Sequence, residues 1–148
     1  MKTGSEPLYL DSSALVKIYY TEPESRALEA FLLGRDALLV SDLGMTEVTS
    51  AIARHVREGR LSPGDGRRIR EAMLHDVKDG VYRRVELAPV MHRRAEDLLM
   101  SAARVPLRAA DALHLSLALA AAASGVVTYD QRLAKAAVVT GRLEVHSP

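Results

Sequence analysis

The sequence predicts an α/β fold, a mainly parallel sheet covered by helices on both faces. Short apolar runs alternate with longer segments of helical period along nearly the whole chain, the pattern of strands joined by right-handed crossovers. The runs before Ser41 and Tyr129 are continuously apolar, as strands buried on both faces are. The composition, 148 residues with 48% hydrophobic and 26% charged, is that of one globular domain. A domain of that length buries roughly two-thirds of its unfolded surface without needing a disulfide or metal. One domain is therefore expected over 1–148, with 1–7 as a flexible N-terminal extension.

The elements follow in order. Leu8-Tyr9-Leu10 is a strand ending at Asp11, and Asp11-Ser12-Ser13 offers capping side chains for a helix from Ala14 to Tyr20. Glu22-Pro23-Glu24-Ser25 breaks that helix and opens another, Arg26 to Leu33, stopped by Gly34. Ala37 to Val40 is a strand closed by Ser41-Asp42, and Met45 to Glu58 a helix with Gly59 at its end. Leu61 to Lys78 has helical period, with Gly64 and Gly66 leaving its start open. Val81 to Leu87 reads as a strand, Val90 to Ala103 as a helix, and Arg108 to Ala123 as a helix of almost wholly apolar composition ended by Gly125. Val126-Val127-Thr128 is a strand, Asp130 to Ala137 a short helix, and Leu143-Glu144-Val145 the last strand.

Several function classes fall away. With no cysteine, thiol catalysis, disulfides, Fe–S clusters and Cys-ligated zinc are excluded. The first residues lack the apolar core of a secretory signal, and the most apolar stretch, Leu113 to Val127, is too short and too interrupted to span a bilayer. A cytoplasmic protein without membrane contact is expected. Lys and Arg total 20 against 19 Asp and Glu, a net charge of +1, which taken alone argues against a strongly basic nucleic-acid binder.

Ligands of open α/β sheets bind outside the carboxyl ends of strands, so the residues just after each apolar run carry the functional question. Asp11 and Asp130 both stand there and should share one edge of the sheet. Either can equally be a helix N-cap. Asp111 is harder to assign to structure alone. From Ala109 to Ser124 the only ionisable side chains are Asp111 and His114, and a carboxylate on a buried helix costs several kcal/mol unless compensated. Compensation can come from Arg108, three residues earlier, or from a bound cation. Glu47, early in the helix after the second strand, is the fourth acid placed by the same rule. Four carboxylates without an obvious Lys, His or Cys ligand suit Mg²⁺ or Mn²⁺, which can orient a phosphate and acidify a water. His114 reads as a structural histidine of the buried helix.

The blocks Tyr9-Leu10-Asp11-Ser12-Ser13-Ala14-Leu15-Val16-Lys17, Glu47, Leu107-Arg108-Ala109-Ala110-Asp111-Ala112-Leu113-His114 and Val127-Thr128-Tyr129-Asp130-Gln131-Arg132-Leu133 resemble, in this order, the PIN-domain ribonucleases, and most of all the VapC toxins of toxin–antitoxin pairs. The similarity runs from Leu8 to about Val145. It implies a three-layer α/β/α sandwich and Mg²⁺- or Mn²⁺-dependent endonucleolytic cleavage of RNA. Asp11, Glu47 and Asp111 would hold or organise the metal, Asp130 would complete the cluster, and Ser12 and Thr128 would be supporting hydroxyls. It also implies a VapB-like antitoxin as partner and a homodimer.

Arg54, Arg57, Arg60, Arg67, Arg68 and Arg70, with Arg83, Arg84, His92, Arg93 and Arg94, are either a solvated face or phosphate contacts that bind without reading sequence. Aromatic residues make up 4% of the chain, so base stacking should not dominate. Two other functions use acids at strand ends. A phospho-acceptor receiver domain would have an acidic pair after the first strand and a late Lys, where Ser12-Ser13 and Tyr129 stand. An aspartate-nucleophile phosphatase would have a second Asp where Ser13 stands. A non-catalytic binding module, its acids mere caps, leaves Asp111 unexplained. If the four acids form one cation-filled pocket, removing their four negative charges from a chain of net +1 leaves +5 for the remaining surface.

Overall fold

A computed structural model describes residues 5–101 and 105–148. Five strands, β1 (Leu8–Leu10), β2 (Leu38–Ser41), β3 (Arg83–Val85), β4 (Gly125–Val127) and β5 (Glu144–His146), form one sheet in the order β3-β2-β1-β4-β5, and every neighbouring pair is parallel. Seven helices are described: α1 (Ser12–Tyr19), α2 (Ser25–Leu32), α3 (Asp42–Arg57), α4 (Pro63–Lys78), α5 (Pro89–Ser101), α6 (Ala109–Ala120) and α7 (Gln131–Thr140). The chain steps outward from β1 through β2 to β3, then returns to the other side of β1 for β4 and β5. The reversal opens a crevice at the carboxyl ends of β1 and β4, where α/β sheets bind ligands.

Alternation along the strands divides the interior into two cores. Leu8, Leu10, Leu38, Val40 and Val127 face one side and pack with Leu15, Leu28, Val48, Ile52 and Met73 from α1 to α4. Tyr9, Leu39 and Val126 face the other side and pack with Leu115, Leu117, Leu133 and Ala137 from α6 and α7. The predicted α/β/α sandwich is the observed one. None of the described helices is long and apolar enough to cross a membrane.

The segment expected as a flexible 1–7 extension is described only from Ser5. There the Ser5 amide and hydroxyl bond Asp36, and the Pro7 carbonyl accepts from the Ser124 amide at 2.8 Å. Ala103, the expected end of the fifth helix, lies outside the described residues.

Three boundaries differ from expectation for physical reasons. First, α3 starts at Asp42 rather than Met45, because the Ser41 hydroxyl caps it by accepting from the Gly44 amide at 3.0 Å. Second, α4 runs through both of its early glycines. Ser62 caps it with Pro63 in the first turn, and a Cβ on Gly66 would come within 2.8 Å of Val56 Cγ2, so this glycine lets α3 and α4 lie close. Third, Gly125 does not end the apolar helix. That helix stops at Ala120, and Ala122 takes the left-handed conformation (φ 54°). Gly125 is instead the first residue of β4, where a Cβ would meet the Glu144 carbonyl and the His146 ring at 3.0 Å.

Candidate active site

Asp11 leaves the carboxyl end of β1 in extended conformation and caps α1. Its Oδ1 accepts from the Ala14 amide at 2.9 Å and the Ser13 hydroxyl at 2.7 Å, and its Oδ2 from the Thr128 hydroxyl at 2.5 Å. Cap and candidate ligand are thus the same side chain. Asp11 is 2% exposed, and all three donors are neutral. Burial pushes its carboxyl above the ordinary carboxylate range, against the opposing effect of the Thr128, Ser13 and Ala14 hydrogen bonds.

Thr128, the residue after β4, ties the neighbouring acid into the same network, because its hydroxyl accepts from the Asp130 amide at 3.0 Å. Asp130 caps α7 through Oδ1, which accepts from the Arg132 and Leu133 amides. Its Oδ2 is left for the Arg108 guanidinium, 3.1 Å away. Asp111, in the first turn of α6, is 3% exposed, and its Oδ2 accepts from the Arg108 amide at 3.1 Å, with Arg108 Nε 3.5 Å from the same oxygen. Arg108 therefore bridges Asp111 and Asp130. The compensation anticipated for Asp111 is present, and it extends to a second acid.

Glu47 stands apart from these three. Its carboxylate meets His114 Nε2 at 2.5 Å, and His114 Nδ1 lies 2.7 Å from the Tyr9 hydroxyl, itself 2.7 Å from the Ser41 hydroxyl. Glu47 also lines a cleft of about 340 Å³ with Ser12, Ser13, Ser50 and Arg54. The four acids thus share the carboxyl edge of the sheet, but they are not gathered about one point. Among the described residues no three acids or imidazoles stand close enough to hold a metal ion. Three of the four acids are instead engaged by Arg108 or His114.

The hydroxyl expected to support the acids from Ser12 comes instead from Ser13, which donates to Asp11 and accepts from the Tyr129 amide at 2.8 Å, while Ser12 lines the cleft. Thr128 stands where expected. The contact of His114 with Glu47 is missing from the sequence reading, although a tyrosine in an otherwise aliphatic strand signals a buried hydroxyl that needs a partner.

Comparison with known proteins agrees with this fold. A family model described as PIN domain matches residues 8–139. The chain belongs to the PIN-domain family. Within it, the chain falls among the VapC-type ribonucleases. It is 36% identical over 138 residues to Ribonuclease VapC45 of Mycobacterium tuberculosis (strain CDC 1551 / Oshkosh), covering 90% of this chain and 91% of that one. It is 35% identical over 136 residues to Ribonuclease VapC46 of M. tuberculosis (strain ATCC 25618 / H37Rv), covering 90% and 92%. Among solved structures, the fold matches M. tuberculosis VapC20, a sarcin-ricin loop cleaving toxin, with a TM-score of 0.71 at 13% identity over 95% of this chain and 99% of that one. It also matches DNA-bound VapBC of Salmonella typhimurium with a TM-score of 0.66 at 13% identity, covering 96% and 98%.

Proposed function

We propose that this protein is a divalent-metal-dependent endoribonuclease that hydrolyses RNA phosphodiester bonds in the crevice beside Asp11, and that it is the toxin of a VapBC-type pair. The observation that carries the chemistry is Asp11, a carboxylate 2% exposed at the switch point of the sheet with only neutral hydrogen-bond donors. Buried charges are paired or coordinate metals, and among the described residues no Arg, Lys or His side chain hydrogen-bonds this one.

The donor set fits a hard cation, since Asp11, Glu47, Asp111 and Asp130 supply only carboxylate oxygen. Asp11, Asp111 and Glu47 would hold it only after their carboxylates draw together, since among the described residues no three stand close enough to do so; Asp130 and the Thr128 hydroxyl, both hydrogen-bonded at the end of β4, would steady them. When bound, Mg²⁺ or Mn²⁺ supplies charge neutralisation at a phosphate and acidification of water. The side chain of Arg108 is 56% exposed, and by swinging out it would release an oxygen of Asp111 or Asp130. Its guanidinium can then meet a phosphate bidentately at the same site. In the hydrolysis, water oxygen forms a bond to phosphorus, the leaving ribose oxygen departs, and the water's protons pass to the site and the leaving group. Glu47, 35% exposed on the cleft wall, would accept one through its oxygen not taken by the metal.

Substrate is led in by arginines without acidic partners. Arg60, Arg68, Arg84 and Arg93 are paired with Glu58, Asp65, Asp42 and Glu96. Arg54 is unpaired among the described residues and shares the Glu47 cleft, while Arg57, Arg67 and Arg70 line a separate groove between α3 and α4. This face favours an RNA backbone over a phosphorylated aspartate or a small phosphate ester. The VapBC complexes among the structural neighbours support a VapB-like antitoxin as partner; a homodimer is part of the same proposal.

The purified protein should cleave structured RNA internally with Mg²⁺ or Mn²⁺ and stop in excess chelator, read on denaturing gels of end-labelled RNA. Undiminished cleavage in chelator would remove the metal from the account.

A further inference from the structure

Three polar side chains lie in the sheet core where aliphatic ones would pack as well. Tyr9 is 0% exposed in the middle of β1, Ser41 is 0% exposed at the end of β2, and His114 is 4% exposed on α6. Burying polar groups costs free energy unless they bond one another, so the chain they form needs an explanation. With a neutral imidazole the chain has one direction. A carboxylate only accepts, so His114 Nε2 carries the hydrogen toward Glu47. A neutral ring donating through Nε2 accepts through Nδ1, so the Tyr9 hydroxyl donates there. Tyr9 then accepts from the Ser41 hydroxyl, and Ser41 in turn accepts from the Gly44 amide as the cap of α3. Glu47 lies one turn beyond Gly44 on that helix, so the chain of bonds leaves α3 at its cap and returns to it at its functional acid.

We propose that His114, oriented by Tyr9 and Ser41, is a positioning residue that fixes Glu47 for its work on the metal and substrate; this rests on the acid site proposed above. Such outer partners orient the ring and raise ligand precision, and their loss typically costs about 10- to 100-fold in metal affinity or activity. His114 itself touches no substrate.

The test uses Mn²⁺ alone as the binding probe, by calorimetry on the metal-free protein, alongside single-turnover cleavage of an RNA stem-loop that the wild type cuts. His114→Leu should weaken Mn²⁺ binding and lower kcat, each by about 10-fold or more, with KM for RNA unchanged. His114→Gln, whose amide nitrogen stands where Nε2 was, should restore both to within about threefold. Tyr9→Phe keeps the ring volume, so it covers the case in which the leucine variant does not fold. It should lower kcat several-fold and remove the Nε2–H signature of His114 in long-range ¹H–¹⁵N spectra. In a Glu47→Gln background, His114→Leu should add no further loss. Wild-type Mn²⁺ affinity and kcat in a folded His114→Leu or Tyr9→Phe protein would overturn the proposal, as would a glutamine variant no better than leucine. An inactive Glu47→Gln beside a fully active His114→Leu defeats only the positioning role, whereas a fully active Glu47→Gln defeats the acid site as well.

Discussion

Asp11 shows how one residue serves a helix cap and a charge site at once. Its native carboxyl is held above the ordinary range by burial, so the folded protein binds that proton more tightly than the unfolded chain does. The stability this contributes is present below the unfolded value of about 3.9 and is lost as pH rises through the raised native value. Metal-free Asp11→Asn should therefore unfold at a higher temperature than wild type at neutral pH, with the gap closing toward acid. Added Mg²⁺ should narrow the gap at neutral pH by stabilising wild type alone. Thermal scans across pH in chelator check this, and a gap independent of pH would contradict it. The acids were legible in the sequence because three follow strand ends or interrupt an apolar helix. The bond between His114 and Glu47 was not, because it joins residues 67 apart and depends on where α6 settles against α3. Neither was the choice of Ser13 over Ser12, which turns on hydroxyl direction in the first turn of α1.

The helices and strands were readable from period and punctuation, and the misplaced ends show what period misses. α6 ends at Ala120 and Ala122 just beyond it turns to φ 54° with no glycine to mark the stop, while Ala118 and Ala123 on either side pack into the second core. Ala122→Gly should stabilise the protein by about 0.5–1 kcal/mol in chemical denaturation, by removing the Cβ from a left-handed residue. At Gly66 the sign is opposite. An added Cβ would lie 2.8 Å from Val56 Cγ2, so Gly66→Ala should cost about 1–3 kcal/mol although alanine is the better helix former. A stabilised Gly66→Ala would show that α3 and α4 part freely. The Asp42 carboxylate takes Arg84 Nε at 2.5 Å and the Leu87 amide at 3.0 Å, pinning the exposed edge strand β3 to the head of α3. The spacing of charges alone could not reveal that pairing.

At the scale of the molecule, the small net charge is an average over separated regions. Acids gather along the carboxyl edge of the sheet, Arg54 shares the Glu47 cleft there, and Arg57, Arg67 and Arg70, without acidic partners among the described residues, line a separate groove between α3 and α4. An RNA strand crossing from one region to the other meets phosphate contacts before the site of cleavage. Arg54→Ala should weaken RNA binding about 3- to 10-fold and lower the salt slope of log K by about one, with little effect on cleavage of RNA already bound. Strand order was not readable, because alternation of strands and helices fixes parallel pairing but not which neighbour each strand takes; yet it is the reversal at β1 and β4 that brings Asp11, Thr128 and Asp130 together. The central claim is that Asp11 and Asp111 form the hydrolytic site. It is tested most directly by comparing RNA cleavage in Mg²⁺ or Mn²⁺ by wild type, Asp11→Asn and Asp111→Asn, each verified as folded by circular dichroism. The account predicts internal cleavage by wild type and at least a 100-fold loss (about 2.7 kcal/mol of transition-state stabilisation) in each variant. Cleavage at the wild-type rate by both folded variants would contradict it.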